Sequence, residues 1–250
     1  MAIIQKECKV YTTVSGKGGV GKSTVACGVG VAFADRGLRT LLIDADEGLR
    51  CLDLMLGTSE NIVFDLFDIM EERCEIEQAL VPVNGIRNLY MLAAPLKCGS
   101  IDGRLDEVIE KLRSRFDRII VDASAGIGPD FDCVVASVDE ILTVVGCDPV
   151  SIRDARRVCE ILHDKNLESR KMIINRYDYK AYKKSIMPHI DYIIDSTALR
   201  LSGIVPYDSK VALYAVMGHP VSKGHAFRAF KRIAARLEGE NIKLPNLNKI

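Results

Sequence analysis

Short apolar runs alternate with amphipathic segments along nearly the whole chain. Runs rich in β-branched and aliphatic side chains occupy 10–14, 40–43, 89–93, 118–121, 140–145, 171–174 and 202–205. Between them, apolar residues recur every three to four positions over 23–35, 104–115, 151–165, 181–195, 209–217 and 223–237, the period of a helix. Several runs lack in-out alternation, as strands covered on both faces do. Strand alternating with helix predicts a mostly parallel central sheet flanked by helices on both faces, with right-handed connections. One domain is expected over 1–238, followed by a poorly packed tail at 239–250, where Pro245 and neighbouring asparagines break the pattern.

Composition narrows the class further. At 250 residues, 48% apolar and 27% charged, the chain has the make-up of a globular domain, and it holds no run of about eighteen apolar residues that could span a bilayer. The stretch MAIIQKECKVYTT carries Lys6, Glu7 and Lys9 where a secretory signal needs an unbroken apolar segment, so the cytoplasm is the expected location. Basic and acidic residues balance at 34 each, so no global field favours nucleic acid or anionic lipid, and a nucleic-acid partner is not expected. The eight cysteines include no C-x-x-C pair, which argues against a zinc module and reads as mostly buried thiols.

The chemistry concentrates in VSGKGGVGKST, residues 14–24. Gly16, Gly21, Lys22 and Ser23 match G-x-x-x-x-G-K-[ST], between a strand-like run and a helical segment. Backbone N–H groups from Gly16 through Lys17, Gly18, Gly19, Val20, Gly21, Lys22, Ser23 and Thr24 are the expected cradle for ATP or ADP. Lys22 would neutralise the β- and γ-phosphates, and Ser23 would ligate Mg²⁺. The fold expectation thereby becomes an α/β three-layer P-loop NTPase.

Asp44 and Asp122 follow the runs 40–43 and 118–121, at the strand tips where open α/β sheets place their ligands. Both are expected to hold the metal through water, with capping or loop solvation as the alternative. Asp46, two residues past Asp44, suits the positioning of an attacking water. Lys17 is a second lysine in a loop that needs one. It leaves a tight turn, so it should point away from the phosphates that Lys22 serves, into solvent or toward a neighbouring molecule. A cation supplied in trans speeds phosphoryl transfer by about 10³–10⁵.

Taken together, KGGVGKST, LLIDADEGLRCLDLMLG and IIVDASAGI resemble the MinD branch of the deviant Walker A ATPases, a family that also includes ParA. The likeness runs from about Lys9 to Leu237. It implies an ATPase, slow without partner activation, whose ATP-bound subunits form a homodimer. The family's signature lysine, which contacts the other subunit's nucleotide, maps onto Lys17. The switch I aspartate maps onto Asp46, the switch II aspartate onto Asp122, and the glycine whose amide meets the γ-phosphate onto Gly126. IINRY and GIVPYD resemble the adenine-holding segments, implying Asn175, Arg176, Pro206, Tyr207 and Asp208. An amide at Asn175 suits a purine edge, although position alone makes it a turn residue. The resemblance further implies spatial regulation of cell division, with a MinC- or MinE-like activating or effector partner.

Two features depart from that family. Switch II, Asp122-Ala123-Ser124-Ala125-Gly126, lacks the proline usual before the Ala-Gly pair. The end, NIKLPNLNKI, carries Pro245 and no aromatic anchor, so there is no clear C-terminal membrane-targeting helix, and peripheral attachment at the inner face of the membrane stays open. The segment HAFRAFKRIAARLE sets Phe227, Phe230, Ala234 and Leu237 on one face beside Arg228, Lys231, Arg232 and Arg236, and packing against the sheet is its expected role. Two alternatives remain: a ParA-like DNA-partitioning or flagellar-number ATPase, and an iron–sulfur ATPase like the nitrogenase iron protein, using Cys98 and Cys133.

Overall fold

The structure, a computed structural model, describes residues 7–96, 101 and 103–247. Its sheet contains β1 (Lys9–Val14), β2 (Thr40–Ala45), β3 (Val81–Pro82), β4 (Leu89–Leu92), β5 (Arg118–Ala123), β6 (Glu140–Val145), β7 (Arg170–Tyr177) and β8 (Arg200–Pro206). The spatial order is β3-β4-β2-β5-β1-β6-β7-β8. All neighbours are parallel except β3, which runs antiparallel to β4 at the edge. Every strand read from an apolar run is present. The two-residue β3 has no run to announce it.

The lack of alternation in the strands has a direct cause, because the core lies on both faces of the sheet. Tyr11, Leu42, Ile120, Leu142, Ile173 and Val205 pack toward α1 (Lys22–Asp35) and α11 (Gly224–Leu237). Their sequence neighbours Val10, Leu41, Ile119 and Ile141 face α5 (Leu105–Arg113) and α6 (Pro129–Ala136). On that second face Met172, Ile174 and Ile204 meet α7 (Pro149–Asp164) and α9 (Ile190–Thr197). At α1 the approach is so close that a Cβ on Gly28 would overlap the Phe230 ring. Glycine there lets α1 and α11 lie side by side.

The apolar face expected on 223–237 is buried as read: Phe227, Phe230, Ala234 and Leu237 all pack inward. No helix among the described residues is long and apolar enough to cross a membrane.

One expected helix is corrected. Residues 181–195 form two pieces, α8 (Tyr179–Lys183) and α9, separated by Ser185 at φ 56° and by Pro188. Proline removes an N–H and drives the preceding residue out of the helical region. Short helices α2 (Leu52–Leu56), α3 (Leu66–Met70), α4 (Ile76–Ala79) and α10 (Ser209–Val216) complete the set. Of these, only α10 was expected. Burial of the thiols is also partial: Cys27, Cys147 and Cys159 are buried, whereas Cys8, Cys51, Cys74 and Cys133 are half-exposed.

Connections from β1 lead to one side of the sheet and those after β5 return to the other, so the strand order reverses beside β1. The C-terminal tips of β1, β5 and β6 therefore flank a crevice, the usual ligand position in such sheets. At the far end of the chain, the tail is anchored where Arg236 Nε donates to the Ile242 carbonyl at 2.9 Å, and Leu247 packs partly against the α7–α9 cluster.

Candidate functional site

The loop between β1 and α1 turns on Gly19 (φ 81°) and Gly21 (φ 88°), values that L side chains avoid. A Cβ at Gly21 would strike the Asn175 amide, and one at Gly16 would strike the Asp154 carbonyl. These glycines are thus fixed by what packs against the loop as well as by its turns. Asn175, buried on β7, donates from Nδ2 to the Val20 carbonyl at 2.8 Å and to the Gly21 carbonyl at 3.5 Å. In this conformation the amide expected at a purine edge holds the loop.

Lys22 is 6% exposed, and its Nζ donates to Asp122 Oδ1 at 2.9 Å. Thr13 Oγ1 donates to the same oxygen at 2.9 Å, while Asp122 Oδ2 is buried with no hydrogen-bond partner. Asp44 stands beside Asp122 in the β2–β5 register and is fully buried. It accepts backbone N–H groups from Asp46 at 2.9 Å and Leu52 at 3.0 Å. Burial first, and then the charge of Asp122, push the Asp44 carboxyl up to about 7. Half-buried Asp46 is also raised, chiefly by burial, with Lys22 opposing and Asp122 and Asp130 reinforcing.

Two buried carboxyls, one with an unpartnered oxygen, face a single lysine. Such a set favours an added cation, which would offset the surplus negative charge and give the orphaned oxygen a partner. Ser23, half-buried at the start of α1, supplies a hydroxyl from the next residue along. The residues present therefore fit Mg²⁺.

Lys17 leaves the loop on the other side from Lys22. Its Nζ lies 3.2 Å from Asp148 Oδ1, with the side chain 41% exposed. Asp148 also caps α7, accepting from Ser151 N at 3.0 Å. Partial burial pushes the Asp148 carboxyl up, but that backbone bond and Lys17 together hold it below the usual range. Gly126, at φ 92°, donates its N–H to the Ser15 carbonyl at 3.1 Å. The switch II amide is thus engaged by the phosphate loop itself.

Beside the loop lies a cavity of about 370 Å³ lined by Thr24, Asn175, Arg176, Pro206, Tyr207 and Asp208, together with Met55 on α2 and Val211, Ala212 and Ala215 on α10. All five residues implied for adenine thus share one cavity. Asp208 also caps α10, accepting from Lys210 N at 3.1 Å. Sequence reasoning missed the apolar wall from α2 and α10. Val211 and Ala215, one turn apart on an expected helix, were its available signal. Arg176, at φ 57°, also lines a second cavity of about 400 Å³ with Lys17, Gly18 and Cys147. Of the cysteines raised for a cluster, Cys133 lies on α6 and Cys98 lies outside the described residues.

Known proteins resemble this chain in sequence and in fold. Residues 11–221 match the family described as the CobQ/CobB/MinD/ParA nucleotide binding domain. The septum site-determining protein MinD of Synechocystis sp. is 35% identical over 241 residues, covering 94% of this chain and 91% of that protein. Among solved structures, a chain of the MinC:MinD cell division protein complex of Aquifex aeolicus has a TM-score of 0.89 and 36% identity, covering 96% of this chain and 99% of that one. MinD of Pyrococcus horikoshii, complexed with Mg-ADP, shares the fold with a TM-score of 0.82 at 24% identity, over 92% and 96% of the two chains.

Proposed function

This chain belongs to the CobQ/CobB/MinD/ParA nucleotide-binding family, and from that premise we propose that it is a Mg-ATP-dependent dimerising ATPase of the MinD type, acting in spatial regulation of cell division. The observation that carries the reading is the buried Lys22–Asp122–Asp44 set beneath a glycine loop, with a second lysine, Lys17, directed outward.

On this reading the loop amides cradle the phosphates and Lys22 meets the β- and γ-oxygens. Ser23, with Asp44 and Asp122 acting through water, would hold magnesium, which would supply neutralisation of phosphate charge. Asp46 holds the attacking water, its raised carboxyl tuned toward proton acceptance. The cavity of α2, β7, β8 and α10 takes adenine. Lys17 leaves Asp148 and completes the centre of a second subunit, so hydrolysis and dimerisation are one event.

The proposed setting is the cytoplasm, with an effector protein engaging the dimer, as a MinC partner is named with the Aquifex aeolicus protein. Nucleotide hydrolysis is proposed to be slow until such a partner binds. The working domain is proposed to be the stretch 1–238.

The test is the mass of Asp46→Ala protein by light scattering. A dimer in saturating Mg-ATP and a monomer in Mg-ADP are expected. A monomer under both conditions overturns the switch.

A further inference from the structure

Another cavity lies at the opposite end of the sheet, away from the phosphate loop. Its volume is about 710 Å³, and it opens where β1, β7 and β8 begin, beneath the end of α11 and the tail. Lys9, Lys171, Arg200 and Arg236 line it, against the single lining acid Glu240.

The charges there do not cancel. Glu140, 1% exposed on β6, is already shared between Lys9 at 2.6 Å and Lys171 at 2.5 Å. Glu240 is paired with Arg36, outside the cavity lining. Arg200 is exposed and makes no ion pair among the described residues. Arg236 spends Nη1 on the Ser202 carbonyl at 2.7 Å and Nε on the Ile242 carbonyl, which accept hydrogen bonds but carry no full charge.

We propose that this cavity is a binding site for a small phosphate-bearing anion, separate from the nucleotide centre. The volume lies within the range of small-molecule pockets. A surplus of guanidinium and ammonium donors over acids selects phosphate esters, because arginine matches two phosphate oxygens at once. Ser202 and the tail backbone at 239–242 close the site, so occupancy would fasten the tail to the sheet edge.

The experiment is a backbone-amide NMR titration of the full chain with inorganic pyrophosphate, in saturating Mg-ADP. Saturable shifts at Leu201, Ser202 and Gly239 to Ile242 are expected. Arg200→Gln, whose side chain makes no ion pair within the described fold, should weaken them about tenfold, the loss of one charge-assisted contact. Arg228→Gln, outside the cavity, should leave affinity at the parent value.

Retention on phosphatidylglycerol vesicles that also requires Arg200 would assign the phosphate to a lipid headgroup rather than to a free ion, with the same recognition. Shifts confined to 16–24, shifts reproduced by sodium chloride at equal ionic strength, or an Arg200→Gln protein that binds like the parent would each overturn the proposal.

Discussion

The two ends of the central sheet carry opposite imbalances within a chain whose formal charge is zero. At the C-terminal strand tips, Asp44, Asp46 and Asp122 crowd a single buried Lys22, and one carboxylate oxygen finds no donor. At the N-terminal ends, Lys9, Lys171, Arg200 and Arg236 outnumber Glu140 and Glu240. The acidic end calls for a cation and the basic end for an anion. A sum over 250 residues hides both, so chain-wide neutrality says nothing about local fields.

The ends also differ in how their buried charges are matched. Arg118 and Glu238, near the basic end, form a two-point pair at 2.6 and 2.7 Å with both side chains almost wholly buried. That pair is satisfied and structural, whereas the acidic set is strained and chemical.

The sharpest break in this comparison should come from Lys17→Ala. It removes the one outward cation of the phosphate loop and is expected to cut turnover by about 10³-fold or more, with nucleotide affinity retained. Steady-state ATPase assays beside nucleotide titration check this, and an unchanged rate would return Lys17 to the role of a surface ion pair with Asp148.

Next in size is Arg118→Met. Removing the guanidinium from this buried pair should cost about 3–5 kcal/mol in denaturant unfolding, while Arg118→Met combined with Glu238→Leu should recover most of the loss. Equal losses in the single and double variants would contradict the description of a matched pair.

The smallest effect belongs to Asp44→Asn and has the opposite sign. The Asp44 carboxyl is raised to about 7 from 3.8, so between those values the folded protein keeps a proton that the unfolded chain has lost. Its contribution to stability is therefore full below about pH 4 and declines as pH rises to about 7. Asp44→Asn should flatten that dependence and raise stability at pH 8 by about 2 kcal/mol, seen by unfolding across the range. A variant with the parent's pH slope would show that Asp44 is not strained.

Much of the fold was legible because its strands are buried on both faces, which makes them continuous apolar runs. The phosphate loop was legible because glycines at fixed spacing leave few other readings, and Asp44 and Asp122 because strand tips are where ligands gather.

What escaped depends on pairs far apart in sequence. Lys17 and Asp148 are separated by 131 positions, and Asn175 reaches back 155 positions to Val20. No local pattern records such contacts. Helices α2, α3 and α4 are only four or five residues long and fall below the length at which periodicity speaks. Pro188 was different. The break between α8 and α9 was written in the sequence and overridden by the apolar spacing on either side.

The bond from Gly126 to Ser15 bears on timing. An amide that already has an acceptor can turn to another oxygen by trading one bond for a similar one, at little net cost. Exchanging the Ser15 carbonyl for a phosphate oxygen would therefore cost this turn little.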